Sequence, residues 1–300
     1  MAETIGIVGT GAMGTLLALK LARAGHAVHA LARTEARRSA LAADAPHGLE
    51  VSRNPDSLST ASLVFVCVKA RDTEEAARAI ATLAPRLPGV CSIQNGWDHM
   101  ELLEGTLPGA PLIAAATSLG AFFDETGVLH GSLEGETLFA PWGDTEARWA
   151  EYAATIFQSA SFRAEPREDA RRILWRKVAL NAAVNPLTAL LDKPNGAILE
   201  KPPLLRLASE AAREAARVGA RRGWLPEDYD PVPRLERLLA ATRGNRSSMA
   251  EDLARGRPTE AEAILGPIRR IAREEGIDTP VVAALDALLR VAEAKAAPLP

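Results

Sequence analysis

Residues 4–31 read TIGIVGTGAMGTLLALKLARAGHAVHAL. A short apolar run (IGIVG), a glycine turn, an apolar-periodic segment (MGTLLALKLARAG) stopped by Gly25, and a second short run (AVHALAR) spell strand, helix, strand. The turn consists of Gly9, Thr10, Gly11, Ala12, Met13 and Gly14, a G-x-G-x-x-G pattern between the first strand and the helix. In that setting the first glycine allows the tight turn, the second lets backbone approach a pyrophosphate, and the third lets the helix pack on the strand. The helix N-terminus then faces the phosphates. These six residues are expected to bind a dinucleotide; a glycine turn without a ligand is the plainer alternative.

Outward from this unit, strand-like runs recur at residues 63–68, 90–93 and 112–117, with the helical pattern TEEAARAIATLA between the first two. Such alternation points to a parallel, doubly wound sheet, an α/β Rossmann-type domain. Two later runs, GVLHGS and GETLFAP, have no helix between them and are expected to form an antiparallel addition at the sheet edge. Beyond about Pro166 the pattern becomes helical in DARRILWRKVALNAAVN, LLRLASEAAREAARVGARRG, DLARGRPTEAEAILGPIRRIAREEG and TPVVAALDALLRVAEA. Pro and Gly clusters near residues 193–196 and 224–233 break it. The expected organisation is a dinucleotide-binding domain at residues 1–166 and a mostly α-helical domain at 167–300.

The chain has 300 residues, 47% hydrophobic and 24% charged, enough for two ordinary cores. A formal net charge of −3 argues against nucleic acid or an anionic membrane as the main partner, because either favours excess Lys and Arg. A small molecule is the expected partner. Cys67 and Cys91 sit inside apolar runs that read as buried strands, so neither a disulfide nor a metal site is expected. No leader-like segment precedes the first strand, and no run reaches the roughly 20 apolar residues of a spanning helix. The cytoplasm is the expected compartment.

Arg33 ends the second strand, where an NAD-specific site would place a carboxylate for the ribose 2′-hydroxyl; the nearest acid is Glu35. Arginine there favours a 2′-phosphate, hence NADPH, although exposed arginine at a strand end is also common. Lys69 follows the run LVFVCV, and Asn95 with Gly96 follows VCSI, so both emerge at carboxyl ends of parallel strands, which line the ligand crevice of such sheets. A solvated lysine and a simple Asn-Gly turn are the alternatives. Lys177, Asn181 and Asn185 stand at i, i+4 and i+8 and share one helix face. That face is either a solvent stripe or, since Asn is a poor choice on an exposed helix, a row of designated hydrogen-bonding groups.

The segments GTGAMG, VCVKA, QNG, LWRKVALNAAVNPLT, PNG and SSMAEDLARGRPTEAEAILG occur in this order. The chain thereby resembles the ketopantoate reductase family from about Ile5 to Gly276. The glycine block is shared by many dehydrogenases, whereas K-x3-N-x3-N-P followed by S-S-M and a T-E pair is specific. The resemblance implies a Rossmann domain followed by a helical domain with the active site in the cleft between them. It implies Lys177 as general acid, with Glu260 contacting substrate as its catalytic companion. It further implies Asn95, Asn181, Asn185 and Ser248 as substrate-binding residues, Asn195 and Asn245 as polar pocket residues, and Arg33, Lys69 and Asn95 as cofactor contacts. The segment TSLGAFFDETGVLHGSLEG departs from the family pattern, Phe122 and Phe123 making it bulkier. The implied activity is NADPH-dependent reduction of 2-dehydropantoate to pantoate, without a metal, by a monomer or homodimer. A related reductase acting on another 2-keto or 3-hydroxy acid, and a non-catalytic NADP-binding regulator, are the alternatives.

Overall fold

The computed structural model describes residues 3–131 and 134–296. They divide into two compact units, the described residues up to 94 with those of 98–173, and residues 95–97 with the described residues from 174 onward.

The first unit begins with β1 (Thr4–Val8), α1 (Ala12–Arg23), β2 (Ala27–Leu31), α2 (Glu35–Ala43), β3 (Leu49–Ser52), β4 (Ala61–Val66), α3 (Thr73–Ala81) and β5 (Gly89–Ser92). It continues with α4 (Asp98–Thr106), β6 (Leu112–Thr117), β7 (Ala121–Phe123), β8 (Leu129–Gly131), β9 (Glu136–Pro141), α5 (Arg148–Ser159) and β10 (Arg163–Pro166). The main sheet runs β10-β9-β6-β5-β4-β1-β2-β3. All of its pairings are parallel except β6 with β9. From β3 to β6 this is the doubly wound Rossmann order, whose direction reverses between β1 and β4.

The central strands are apolar on both faces because helices cover both sides of a parallel sheet. Ile5, Ile7, Val28, Leu63, Phe65, Cys91 and Ile113 are buried in one core with Leu17 and Leu21 of α1 and Ile156 and Phe157 of α5. Phe65, Phe139 and Phe157 pack with ring centroids 4.9–6.5 Å apart, the spacing of favourable aromatic pairs. Cys91 lies buried in β5 and Cys67 follows β4; both are free thiols.

The edge departs from the sequence expectation. GETLFAP does supply an antiparallel neighbour for β6, but GVLHGS does not join this sheet. Its β8 pairs with β7 in a separate two-stranded sheet; Ser132, at the end of the run, lies outside the described residues. The bulky stretch therefore builds this hairpin: Arg37 of α2 stacks 4.7 Å above the Phe123 ring, and Phe122 stacks on His130. Intervening turn residues close β7 onto β8, with Asp124 accepting from the N–H groups of Thr126 and Val128.

α6 (Ala170–Leu191) carries the division between the units. The second unit adds α7 (Gly196–Glu200), α8 (Pro202–Arg221), α9 (Val232–Ala241), α10 (Ser248–Ala254), α11 (Ala261–Glu275) and α12 (Pro280–Ala296). The periodic run from Asp252 to Gly276, read from sequence as one helical segment, is two helices. Gly256 takes a left-handed φ of 61° and Pro258 lacks an N–H, so the helix stops and restarts at Ala261. α12 is started by a neighbour: both carboxylate oxygens of buried Glu214 on α8 accept from the N–H groups of Val281 and Val282, at 2.9 and 2.8 Å. No helix among the described residues is long and apolar enough to cross a membrane.

Candidate active site

In the first unit, the turn from Gly9 to Gly14 joins the carboxyl end of β1 to α1. Gly9 has φ 98°, and its N–H bonds the carbonyl of Leu31 at 3.1 Å. A Cβ on Gly14 would stand 1.9 Å from the Gly9 carbonyl oxygen, so only glycine lets the helix approach the turn so closely. At Gly11 a Cβ would meet nothing within 4 Å. Gly11 is the N-cap of α1 and offers no side-chain acceptor, so the first helical N–H groups, including those of Ala12 and Met13, have no side-chain cap. Thr10 is buried, and its carbonyl accepts from the Thr15 hydroxyl at 3.2 Å. This cradle fits a pyrophosphate: uncapped donors at a helix N-terminus attract an anion, and the space above Gly11 is open.

Arg33, exposed at the end of β2, donates from Nη1 to Asp72 Oδ1 at 2.8 Å. Lys69, also exposed, is the N-cap of the short 3-10 turn at Ala70–Asp72 that leads into α3. Asp72 and the adjacent Arg71 are not apparent from the sequence, which leads one to expect an acid near the end of β2 and not in the turn after β4. The available signal was that β4 neighbours β1, so the KARD turn opens at the same sheet edge.

In the second unit, a polar cluster forms around α6. The Lys177, Asn181, Asn185 face is no solvent stripe: Lys177 and Asn181 are half-buried and Asn185 is 8% exposed. The side chains of Asn181 and Asn185 bond no described residue, which leaves their amides available to a ligand. Trp175 sets the rotation of the helix. Its indole N–H donates to the Ala215 carbonyl at 2.8 Å, and its ring lies where a Cβ on Gly219 would stand, 2.1 Å away.

Glu260, the N-cap of α11, accepts from Asn95 Nδ2 at 3.0 Å and acts electrostatically on Lys177. Burial pulls the Lys177 ammonium down to about 8, and the Glu260 carboxylate works in the opposite direction. Asn95 reaches Glu260 through a close approach of backbone. Gly96 has φ 95°, and a Cβ there would stand 2.3 Å from the Ala263 carbonyl oxygen. That carbonyl is the one that Pro267, lacking an N–H, leaves without its usual helical partner. The next residue, Trp97, is 1% exposed; it stacks on Trp224 at 4.1 Å and meets Trp175 edge-on at 5.1 Å, anchoring the Asn95 turn.

A second group of the expected residues meets at the far end of α6. Asn195 N–H bonds the Asn245 carbonyl at 2.9 Å and its Nδ2 donates to Thr242 Oγ1 at 3.0 Å, while its Oδ1 is buried with no partner among the described residues. Asn245 is exposed and contributes its backbone. Ser248 opens α10 exposed, with a side chain that bonds no described residue. Its neighbour Ser247, which sequence reasoning passed over, is buried: it caps α10 by accepting from the Ala250 N–H and receives the Thr188 hydroxyl at 2.8 Å. Hydrogen bonds thus join Asn95 to Glu260 and Asn195 to Asn245; among the described residues none ties Ser248 to either pair.

Known proteins share both units. Residues 5–144 match the family described as "Ketopantoate reductase PanE/ApbA", and residues 169–293 match "Ketopantoate reductase PanE/ApbA C terminal". A 2-dehydropantoate 2-reductase of Halobacterium salinarum is 33% identical over 299 residues, covering 96% of this chain and 98% of that protein. The crystal structure of a PanE/ApbA family ketopantoate reductase from Ralstonia eutropha has a TM-score of 0.85 at 28% identity, covering 98% of this chain and 99% of that one. A D-mandelate dehydrogenase structure has a TM-score of 0.89 at 20% identity, with the same coverage, and shares the fold. With both family matches and a relative of this identity along its length, the chain belongs to the ketopantoate reductase family of oxidoreductases.

Proposed function

We propose that the protein reduces 2-dehydropantoate to pantoate with NADPH, a step of pantothenate and coenzyme A biosynthesis. The observation that carries this reading is the ammonium of Lys177, half-buried beside Glu260 and drawn down to about 8. A lysine at that value is still mostly charged at neutral pH and gives up its proton more readily than a solvated one. When bound, the reduced nicotinamide supplies the hydride. Lys177 donates a hydrogen bond to the 2-keto oxygen, polarises the carbonyl, and passes its proton to the oxygen as negative charge develops there. Glu260 keeps the ammonium charged and, with Asn95, presents acceptor and donor groups to the substrate hydroxyl. Asn181, Asn185 and Ser248 offer unspent hydrogen bonds for the carboxylate, and Asn195 and Asn245 line the same unit. The turn from Gly9 to Gly14 would hold the cofactor's pyrophosphate, and Arg33 and Lys69 would serve its adenosine phosphate. Free cysteines suit the cytoplasm.

Steady-state oxidation of NADPH against a panel of 2-keto acids tests the reading. The expected result is a kcat/KM for 2-dehydropantoate at least about tenfold above the other keto acids. A second reading is a reductase for a different 2-keto acid, favoured by the fold shared with D-mandelate dehydrogenase, whose structure holds NADH and anilino(oxo)acetate. A higher kcat/KM for an aromatic keto acid would select that reading, and NADPH binding without turnover of any keto acid would select a regulator.

A further inference from the structure

Arg33 leaves the end of β2 with its side chain 61% exposed, yet its guanidinium is already engaged by Asp72. Asp72 is itself only 23% exposed, and its second oxygen lies 3.9 Å from Arg71 Nε. It occupies the N-cap position of α3 but accepts no bond from that helix, so capping does not account for where its carboxylate points. The loop that carries it is tied down. The Asp72 N–H bonds the Lys69 carbonyl at 2.8 Å, and the Thr73 hydroxyl bonds the Ala70 carbonyl at 2.7 Å. Thr73 in turn accepts from Gln94 Nε2 at 2.7 Å, which links the loop to the end of β5. A firmly placed carboxylate therefore stands against the guanidinium at the one strand end where a Rossmann sheet reads the ribose 2′ position.

The two states of that position respond to this pair in opposite ways. A 2′-phosphate dianion gains from Arg33 but meets the like charge of Asp72 a few ångströms away, and it must compete for a guanidinium that already has a partner. A free 2′-hydroxyl is a neutral donor, for which a carboxylate is a good acceptor. Dinucleotide sites of this fold ordinarily draw that acid from the end of the second strand, whereas the acid beside Arg33 comes from the loop after β4.

We propose that Asp72 is a specificity-determining residue of the cofactor site, narrowing the advantage of NADPH over NADH by acting as counter-ion to Arg33 and as acceptor for an unphosphorylated ribose. The proposal deepens the dinucleotide reading of the first unit and rests on it.

Fluorescence titration of the full chain with NADPH and with NADH, without keto acid and at one fixed ionic strength, tests it. Asp72→Asn is expected to tighten NADPH and weaken NADH, moving the ratio of the two Kd values about tenfold toward NADPH. Asp72→Ser, which keeps a residue that favours the N-cap position, is expected to move the ratio the same way, and Arg33→Ala the opposite way. Melting midpoints without cofactor show that each variant is folded. A ratio unchanged in both Asp72 variants, or equal losses for the two cofactors, would overturn the proposal and leave Asp72 as a support for its loop. Wild-type protein that binds neither cofactor would overturn the dinucleotide reading itself, and the proposal with it.

Discussion

The ammonium of Lys177 sits where burial and a neighbouring carboxylate pull in opposite directions, and burial wins, taking it from 10.5 down to about 8. The proton-bearing form is the active one for a general acid, so turnover should be level below this value and fall as pH rises through about 8. Glu260 favours the charged ammonium, so Glu260→Gln should drop the Lys177 value further and move the alkaline limb of kcat to lower pH. A limb that stays in place, or moves up, in the variant would show that the two groups are not coupled. On the same footing, Lys177→Ala should lower kcat by about 10²–10⁴-fold with little change in cofactor affinity. Lys177→Arg should not restore it, since guanidinium holds its proton more tightly. Wild-type turnover in Lys177→Arg would make charge alone the role of this residue.

At the scale of elements, the cluster depends on local chain behaviour that breaks helical regularity. Pro267 inside α11 removes one N–H, and the carbonyl of Ala263 that loses it is the atom against which Gly96 packs. Only a residue without Cβ, at φ 95°, fits there, and this contact delivers Asn95 to Glu260. Gly96→Ala should therefore act twice. It should cost roughly 1–3 kcal/mol in backbone strain, and it should push the Asn95 turn off α11. The expected reading is a lowered melting midpoint together with a KM for the keto acid raised several-fold, against unchanged NADPH affinity by titration. A variant with normal KM would mean that the Asn95 position is not critical for substrate. Similarly, α6 continues through Pro186 to Leu191, although the periodic pattern reads only to Asn185. Thr188 follows the proline, its hydroxyl bonding back to the Val184 carbonyl and out to Ser247, so the last turn is held by side chains as well as backbone.

For the molecule as a whole, ligand binding to the native state alone raises stability by mass action, about 2.7 kcal/mol at one hundred times Kd. Saturating NADPH should thus raise the unfolding temperature by several degrees. Gly11→Val places a side chain in the open space above the helix N-terminus without meeting any protein atom nearby, so the unliganded midpoint should stay near the wild-type value while the NADPH-induced rise disappears. If that variant kept the full rise in calorimetry, the phosphates would not lie over this turn.

The Rossmann frame was legible from residues 4–31 because its signals are local: apolar runs of strand length, a glycine turn, and a helix stopped at Gly25. The Lys177, Asn181, Asn185 face was equally legible, since helical spacing alone aligns residues four apart. Whether that face met water or the protein interior was not, because burial depends on what packs against it. Partners distant in the chain were also invisible. Asn95 and Glu260 are 165 residues apart, and Asp72 reaches Arg33 across 39, so no window of sequence contains either pair. Edge pairing misled for a related reason. GVLHGS and GETLFAP carry similar strand patterns, and only tertiary packing decided that one joins the main sheet while the other closes a hairpin with β7. Periodicity and turn chemistry determine elements; which carboxylate stands beside which cation is decided by the path of the chain between them.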